Sequence, residues 1–597
     1  MMGLKGLLRG RGSRYAVAPL PVQRTAVAPA QFTEVSSGHY FVDFGRVAFA
    51  GLELTVPEPE HGRRVTMRMG EARSGAHQID QAAGVSVRYH EARIKLARGK
   101  HKYVVPLTKE DARWMPKGIG PVMPFRFVEI LNAPRGLKAP HVRQQMAHYP
   151  FDHSAAHFNC SEPRLNAIWE LCKYTMKATS FAGIFVDGDR ERKPYEADAY
   201  INQLGWYYCA GEYALPRYSH EYLIRHPTWP TEWIMFSVLM AWEDYLYSGE
   251  TASLRKFYRD LYAKTLLALA RNDGLLEPPP RRLPLRHQRA IHIRKIRNIV
   301  DWPVGDRDGY EMVPVNTVVN AFHVRALERM SRIAGVLGHA ADEQRFRAAS
   351  EQAASSLNDK LFDETTGLYI DGEGSRHSSL HANMFPLAFG VVPKSRCGKV
   401  VEFIRSRGMA CSVYAAQFLM DALFENGQTD HALALMVAPG DRSWRHMVED
   451  LGATITFEDW DNNYKPKQDW NHPWGAAPAN VLPRQLMGVS PIAPGFSKVM
   501  IRPQPGSLAW AESRTPTPRG PITVRFENAE TFRLEVEIPV GVSARIGLPL
   551  QSAGASRVGG SIRLDGREVA AVPSEQIVLL EDVPPGRHEI MLSGKSI

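Results

Sequence analysis

Cysteine is scarce: five among 597 residues, at Cys160, Cys172, Cys209, Cys397 and Cys411, odd in number and with no Cys-x-x-Cys pair. That argues against a disulfide framework and against a cysteine-bound zinc site. A continuous apolar run long enough to cross a bilayer is also missing, so no membrane partner is expected. The first dozen residues carry the positive charge of a secretory leader but not its apolar centre, which makes a cytoplasmic home the expectation. No HExxH, GxSxG, GxxxxGK(S/T) or strand-borne GxGxxG occurs, so neither metal, serine nucleophile, nucleotide phosphate nor dinucleotide chemistry is indicated, and neither a metal nor a cofactor is expected.

Acidic residues are outnumbered, giving a formal net charge of +10, and the excess is concentrated. Between Arg281 and Arg297 lie seven cations (Arg281, Arg282, Arg286, Arg289, Arg294, Lys295, Arg297) and no acid, after Pro278-Pro279-Pro280. Without stacking aromatics this insertion reads as a surface loop between helices, not a nucleic-acid platform, and acidic polysaccharide is the better match for its arginines.

At 44% hydrophobic and 23% charged residues, the chain can bury a large core, and its length calls for several domains. Residues 1–37 show little periodicity and read as a poorly structured leader. Residues 38–135 alternate with period two, as at Val65, Met67 and Met69, and are broken by glycine and proline, which predicts an antiparallel β-sandwich. Residues 136–158 read as a connector. From 159 to 490 the spacing turns helical, as in Leu165, Ile168, Trp169 and Cys172, and predicts an all-α domain of about a dozen helices able to close into a ring of helical hairpins. Residues 491–597 return to alternation in Phe532–Ile538, with an Asp565-Gly566 hairpin turn, and predict a second antiparallel β-sandwich.

The chemistry concentrates in the helical region. Asp187–Gln203 packs five carboxylates and three cations among aromatic and amide side chains, with Pro194 placed to open a helix. Three more clusters mix tryptophan with carboxylates: 226–233, 301–311 and 454–474. Tryptophan faces stack on the apolar faces of sugars and carboxylates accept their hydroxyl hydrogens, so the combination suits a carbohydrate pocket. Cleaving a glycosidic bond needs one carboxylic acid to protonate the leaving oxygen and one carboxylate to activate water or attack the sugar. His377 and His381, four apart, read as packing and capping residues.

On these residues the chain resembles the bacterial α-L-rhamnosidases of glycoside hydrolase family 78. Glu191-Arg192 is similar to the Glu-Arg of the family's first motif, and Asp198, seven positions on, to its final aspartate. Asp187 and Arg190 fall near the leading aspartate and arginine in a segment shorter by two residues, and Tyr195 stands where tryptophan is usual. Thr454–Trp460 resembles the second motif, with Glu458 in its glutamate position. The resemblance implies a central (α/α)6 barrel between two β-sandwiches, a carbohydrate substrate bearing terminal α-L-rhamnose, and inverting hydrolysis. It implies Glu191 as general acid, Glu458 as general base, and Asp187, Arg190, Tyr195, Asp198, Trp302 and His472 as sugar-binding residues. Asp189 competes with Asp187 for one of those roles. A hydrolase of another sugar, including uronic-acid-containing substrates, and a non-catalytic carbohydrate-binding protein both remain open. So does the oligomeric state.

Overall fold

In the computed structural model of the protein the described residues are 15–16, 18–58, 60–84, 86–278, 282–552, 555–556, 560–570, 572–574 and 577–593. Arg281, part of the basic insertion, lies outside them. The order is β, then α, then β, with thirteen α-helices among the described residues between Pro163 and Val481.

The first β region is an eight-stranded sheet built on one long strand, His39–Thr55. That strand pairs antiparallel with Met123–Leu131 and with Val142–His148, and it is buried on both faces along most of its length. One face meets the β core around Val42, Leu52 and Leu54. The other meets the helical region, where the Phe49 ring stacks on Phe181 with centroids 3.8 Å apart. Val65, Met67 and Met69 all point into the core, as their alternation predicts.

Two boundaries differ from expectation. The supposed leader contains two strands, Gln23–Val27 and Gln31–Ser36, which pair with Val142–His148 and with the long strand. They are held by backbone hydrogen bonds and their side chains are largely exposed, so no apolar alternation advertised them. The supposed connector contains Val142–His148, an interior strand. Its inward set is Val142, Gln144 and Met146, and buried Gln144 donates through Nε2 to the Phe125 carbonyl at 2.7 Å, which breaks the apolar pattern. The connector's end, His157–Cys160, pairs with Trp510–Thr515 and belongs to the C-terminal β region.

The helices fall into two kinds. Glu196–Cys209, Thr231–Ser248, Thr317–Val336, Leu380–Ala388 and Ala416–Glu425 are buried over most of their surface. Ala252–Lys264, Ala340–Lys360 and Lys394–Arg407 bury a single stripe. A helix apolar all round needs neighbours on every side, and an amphipathic one needs a neighbour on one, so the buried set is lined by the amphipathic set. At the centre Phe236, Phe322, Phe385, Phe389 and Phe418 pack ring against ring, as in Phe322–Phe389 at 4.8 Å and Phe385–Phe418 at 4.9 Å. Pro194 does not open its helix: the N-cap is Tyr195, and Glu196 and Asp198 occupy the first turn.

The C-terminal region has a seven-stranded and a five-stranded sheet. Phe532–Ile538 is a strand over its predicted span, and the Asp565-Gly566 turn has the two positive φ angles of its hairpin type. It is not wholly antiparallel: Lys498–Ile501 runs parallel to Ser543–Pro549. Gly488, at the exit from the helices, has φ +72°, and a Cβ there would run into the Arg502 carbonyl. Gly488→Ala is therefore expected to cost about 2 kcal/mol or more. A urea titration should show a lower midpoint with an unchanged slope.

Candidate active site

All eight residues picked out as candidates line one cavity of about 200 Å³: Asp187, Arg190, Glu191, Tyr195, Asp198, Trp302, Glu458 and His472. Trp229, Trp233, Ile299 and Trp474 complete the wall. Larger hollows lie on the C-terminal sheet, between the helices and that region, and beside the first β region; the first two hold no tryptophan, and the third has one tryptophan, Trp470, and one carboxylate, Glu71, against four and four here.

The loop before the helix Glu196–Cys209 sets the front of the cavity. It closes on itself through Asp187 N–H to the Lys193 carbonyl at 3.0 Å, while Asp187 Oδ1 accepts from Lys193 N–H at 2.8 Å. Gly188 is needed because a Cβ would sit 2.7 Å from Asp469 Oδ2. Arg192, at φ +48° and 1% exposed, turns away from the cavity. Its guanidinium donates to Asp189 Oδ1 at 2.9 Å, to the Asp111 carbonyl at 2.8 Å and to the Val122 carbonyl at 2.7 Å. Arg88 of the first β region reaches Asp189 Oδ2 at 2.7 Å and also pairs with Asp111. Asp189 is thus an anchor, and Asp187 is the aspartate that faces the cavity. Asn471 accepts from Asp189 N–H at 2.8 Å and donates to Glu71 at 2.9 Å, adding a second tie to the β region. Burial pushes Glu71 up to about 8.

Glu191 projects from the loop with its side chain 44% exposed and accepts from the Tyr195 hydroxyl at 2.5 Å. Glu458 is its opposite: buried, with Oε1 contacted by Lys465 and by Arg190 Nη2 at 2.7 Å, and Oε2 accepting from Asp469 N–H at 3.0 Å. Burial opposes the charge of Glu458, but His472, Lys465 and Arg190 outweigh it and hold the carboxyl down at about 2. Arg190 Nη2 also stands 3.8 Å from Glu191 Oε1. The two legs laid end to end limit the gap between Glu191 Oε1 and Glu458 Oε1 to about 6.5 Å.

His472 is buried, with Nε2 2.9 Å from Asp198 Oδ1 and Nδ1 3.8 Å from Asp469 Oδ2. Burial disfavours its charge, yet Asp198 and Asp469 raise it to about 10, so the proton stays on the imidazole. Burial pushes Asp198 up as well, with His472 opposing, and we place the shared proton on His472 because two carboxylates face it. Burial carries Asp187 well above the carboxylate range. Glu458, Asp469 and His472 bring ligand-type atoms within 4.8 Å of one another. A charged imidazole and two cations already on Glu458 oppose a metal ion there.

His381 bonds Asp301 at 2.7 Å and His377 bonds Asp371 at 2.7 Å, so both serve packing. Lys465, Asp469 and Asn471 escaped the sequence reading although they sit inside a cluster it named. Arg88, Asp111 and Glu71 escaped because a partner from another domain has no fixed spacing from the loop it holds.

A recessed carboxylate, an open carboxylate and four indole walls around one small hollow make the arrangement of a carbohydrate-binding and glycoside-cleaving class of protein. Residues 153–486 match the bacterial alpha-L-rhamnosidase 6 hairpin glycosidase domain, and residues 488–563 match the bacterial alpha-L-rhamnosidase C-terminal domain. An alpha-L-rhamnosidase of Alteromonas sp. (strain LOR) is 25% identical over 575 residues, 88% of this chain and 57% of that protein. An alpha-L-rhamnosidase structure from Dictyoglumus thermophilum aligns with a TM-score of 0.77 at 18% identity over 97% of this chain and 64% of that one. One from Streptomyces avermitilis, complexed with L-rhamnose, aligns at 0.74 with 16% identity over 96% and 54%. The chain belongs to the bacterial α-L-rhamnosidases of glycoside hydrolase family 78. It spans a little over half the length of the Alteromonas relative.

Two outcomes follow from the charges. Lys465→Met removes one of the cations holding Glu458 down, so the Glu458 pKa rises from about 2, and its carboxyl resonance followed by NMR should titrate at higher pH than in the wild type. His472 is raised from 6.5 to about 10, so its contribution to stability is complete below about pH 6.5 and is lost as pH rises through about 10. Melting temperatures of the wild type and His472→Gln, taken across that window, should converge toward the alkaline end.

Proposed function

We propose that this chain hydrolyses terminal α-L-rhamnosides with inversion of configuration. In this reading Glu191 protonates the glycosidic oxygen and Glu458 takes the proton of the attacking water. The observation that carries it is the meeting of an open Glu191 and a buried, cation-held Glu458 in a single tryptophan-walled cavity. Glu191 faces the open side, where the leaving group must depart. Glu458 is recessed and held ionised, the state a base needs to take a proton from water. The ceiling of about 6.5 Å between these two Oε1 atoms admits the ~5–5.5 Å of retaining enzymes as well as the lower edge of the ~6.5–9.5 Å of inverting ones, so the anomer released decides between them.

Asp187, Asp198 and His472 hold sugar hydroxyls, Arg190 fixes both carboxylates, and Trp302 with Tyr195 offers the apolar methyl of a 6-deoxy sugar a flat wall. The buried helices and the amphipathic helices around them are read as a closed (α/α)6 barrel whose loops carry the cavity.

Incubation with nitrophenyl α-L-rhamnoside, followed by NMR, should release the β-anomer first. Release of the α-anomer would replace inversion by retention, and the absence of cleavage would remove the activity. Glu191→Gln and Glu458→Gln should each lower kcat by about 10²–10⁴, with the melting temperature unchanged for the exposed Glu191 and lowered for Glu458, whose buried charge answers Lys465 and Arg190.

A further inference from the structure

The cavity wall that carries Ile299 and Trp302 is built on a strained turn. Asp301 N–H donates to the Ile299 carbonyl at 2.8 Å, across a single residue, and that residue, Val300, sits at φ +65°. A turn closed over one residue at positive φ is the rare, strained form of the γ-turn, and a β-branched side chain adds to the strain. Val300 and Asp301 are fully buried, while Ile299 and Trp302 on either side of them line the cavity. Such a conformation persists only where its surroundings over-determine it.

Glu232 holds the turn from one side. Its Oε1 accepts from Ile299 N–H at 3.0 Å and from Val300 N–H. It stands in the first turn of the helix Thr231–Ser248, and the next residue, Trp233, also lines the cavity. Asp301 ties the turn from the other side: its carboxylate accepts from Ser412 N–H at 3.0 Å and from the Ser412 hydroxyl, and it bonds the His381 imidazole at 2.7 Å. Glu232 is fully buried, its Oε2 has no hydrogen-bond partner among the described residues, and burial pushes its pKa up to about 7. The chain thus keeps a costly buried carboxyl where an apolar side chain could fill the same space. Neither Glu191 nor Glu458 is among its partners.

We propose that Glu232 is a positioning residue for the sugar: by clamping the Ile299–Asp301 turn to the helix that carries Trp233, it fixes three walls of the cavity, Trp233, Ile299 and Trp302, in one arrangement. This inference rests on the rhamnosidase reading above and adds to it a residue that does not itself line the cavity. Walls that embrace the sugar equally before and during bond cleavage act on binding and not on the chemical step, so the effect falls on KM.

The test measures the Kd of L-rhamnose from the change in tryptophan fluorescence, together with KM and kcat on nitrophenyl α-L-rhamnoside. Glu232→Ala should raise Kd and KM by about tenfold or more, while kcat at saturation stays within about threefold of the wild type. Glu232→Gln, which keeps an acceptor oxygen, should recover most of the loss. A merely structural role would lower the melting temperature and leave Kd unmoved at temperatures where both proteins are folded; that result, or a loss of kcat with Kd unchanged, overturns the assignment. If Glu232→Ala does not fold, Glu232→Asp, whose carboxylate keeps its charge but falls one methylene short of the turn, should raise Kd in the same direction, and an unchanged Kd there overturns the assignment equally. Wild-type cleavage and rhamnose binding with Kd unmoved in the variants overturns this inference alone. A wild type that neither cleaves the rhamnoside nor binds L-rhamnose overturns the rhamnosidase reading and this inference with it.

Discussion

Asp189 and Arg192 form an ion pair that water barely reaches, and most of the site's geometry hangs from it. Arg192 is shared between Asp189 and two carbonyls of the first β region, and Asp189 is shared between Arg192 and Arg88. Taking such charges out of water is expensive, and leaving one unpaired costs about 3–5 kcal/mol, so the loop has one low-energy arrangement. In that arrangement Arg192 points into the β region, and its chain neighbour Glu191 points to the cavity. The first β region therefore shapes the cavity mechanically, although none of its side chains lines it.

The second organising feature is the unequal treatment of two glutamates. Glu458 is surrounded by cations and held ionised, whereas Glu191 is left open beside one tyrosine. A single guanidinium, Arg190, touches the first and stands near the second, which fixes their spacing through one rigid group. The imidazolium of His472 balances Asp198 and Asp469 behind the sugar site. With charge compensated in this way, a largely buried cavity can keep several carboxylates without unfolding around them.

Much of this was legible from residue types. The cavity residues are polar or aromatic in places where a core would be aliphatic, and their clustering in Asp187–Gln203 and 454–474 survives in the fold. The β, α, β order followed from periodicity, which is a local property. What escaped was non-local. Strands Gln23–Val27 and Val142–His148 are held by pairing partners, and a buried glutamine in the second hides the alternation. The choice between Asp187 and Asp189 turned on Arg88, about a hundred residues away, and no spacing rule carries that information.

Among the described residues the strand His157–Cys160 precedes every α-helix, yet pairs with Trp510–Thr515, which follows them all. The C-terminal sheet therefore has a member made some 350 residues before its partner, a separation at which loop closure is slow and costs entropy. During synthesis the early strand must wait unpaired while the helices emerge, and its pairing shuts the helical region between two covalently distant edges. A chain interrupted before residue 510 would therefore carry every cavity residue and still lack the partner of this strand.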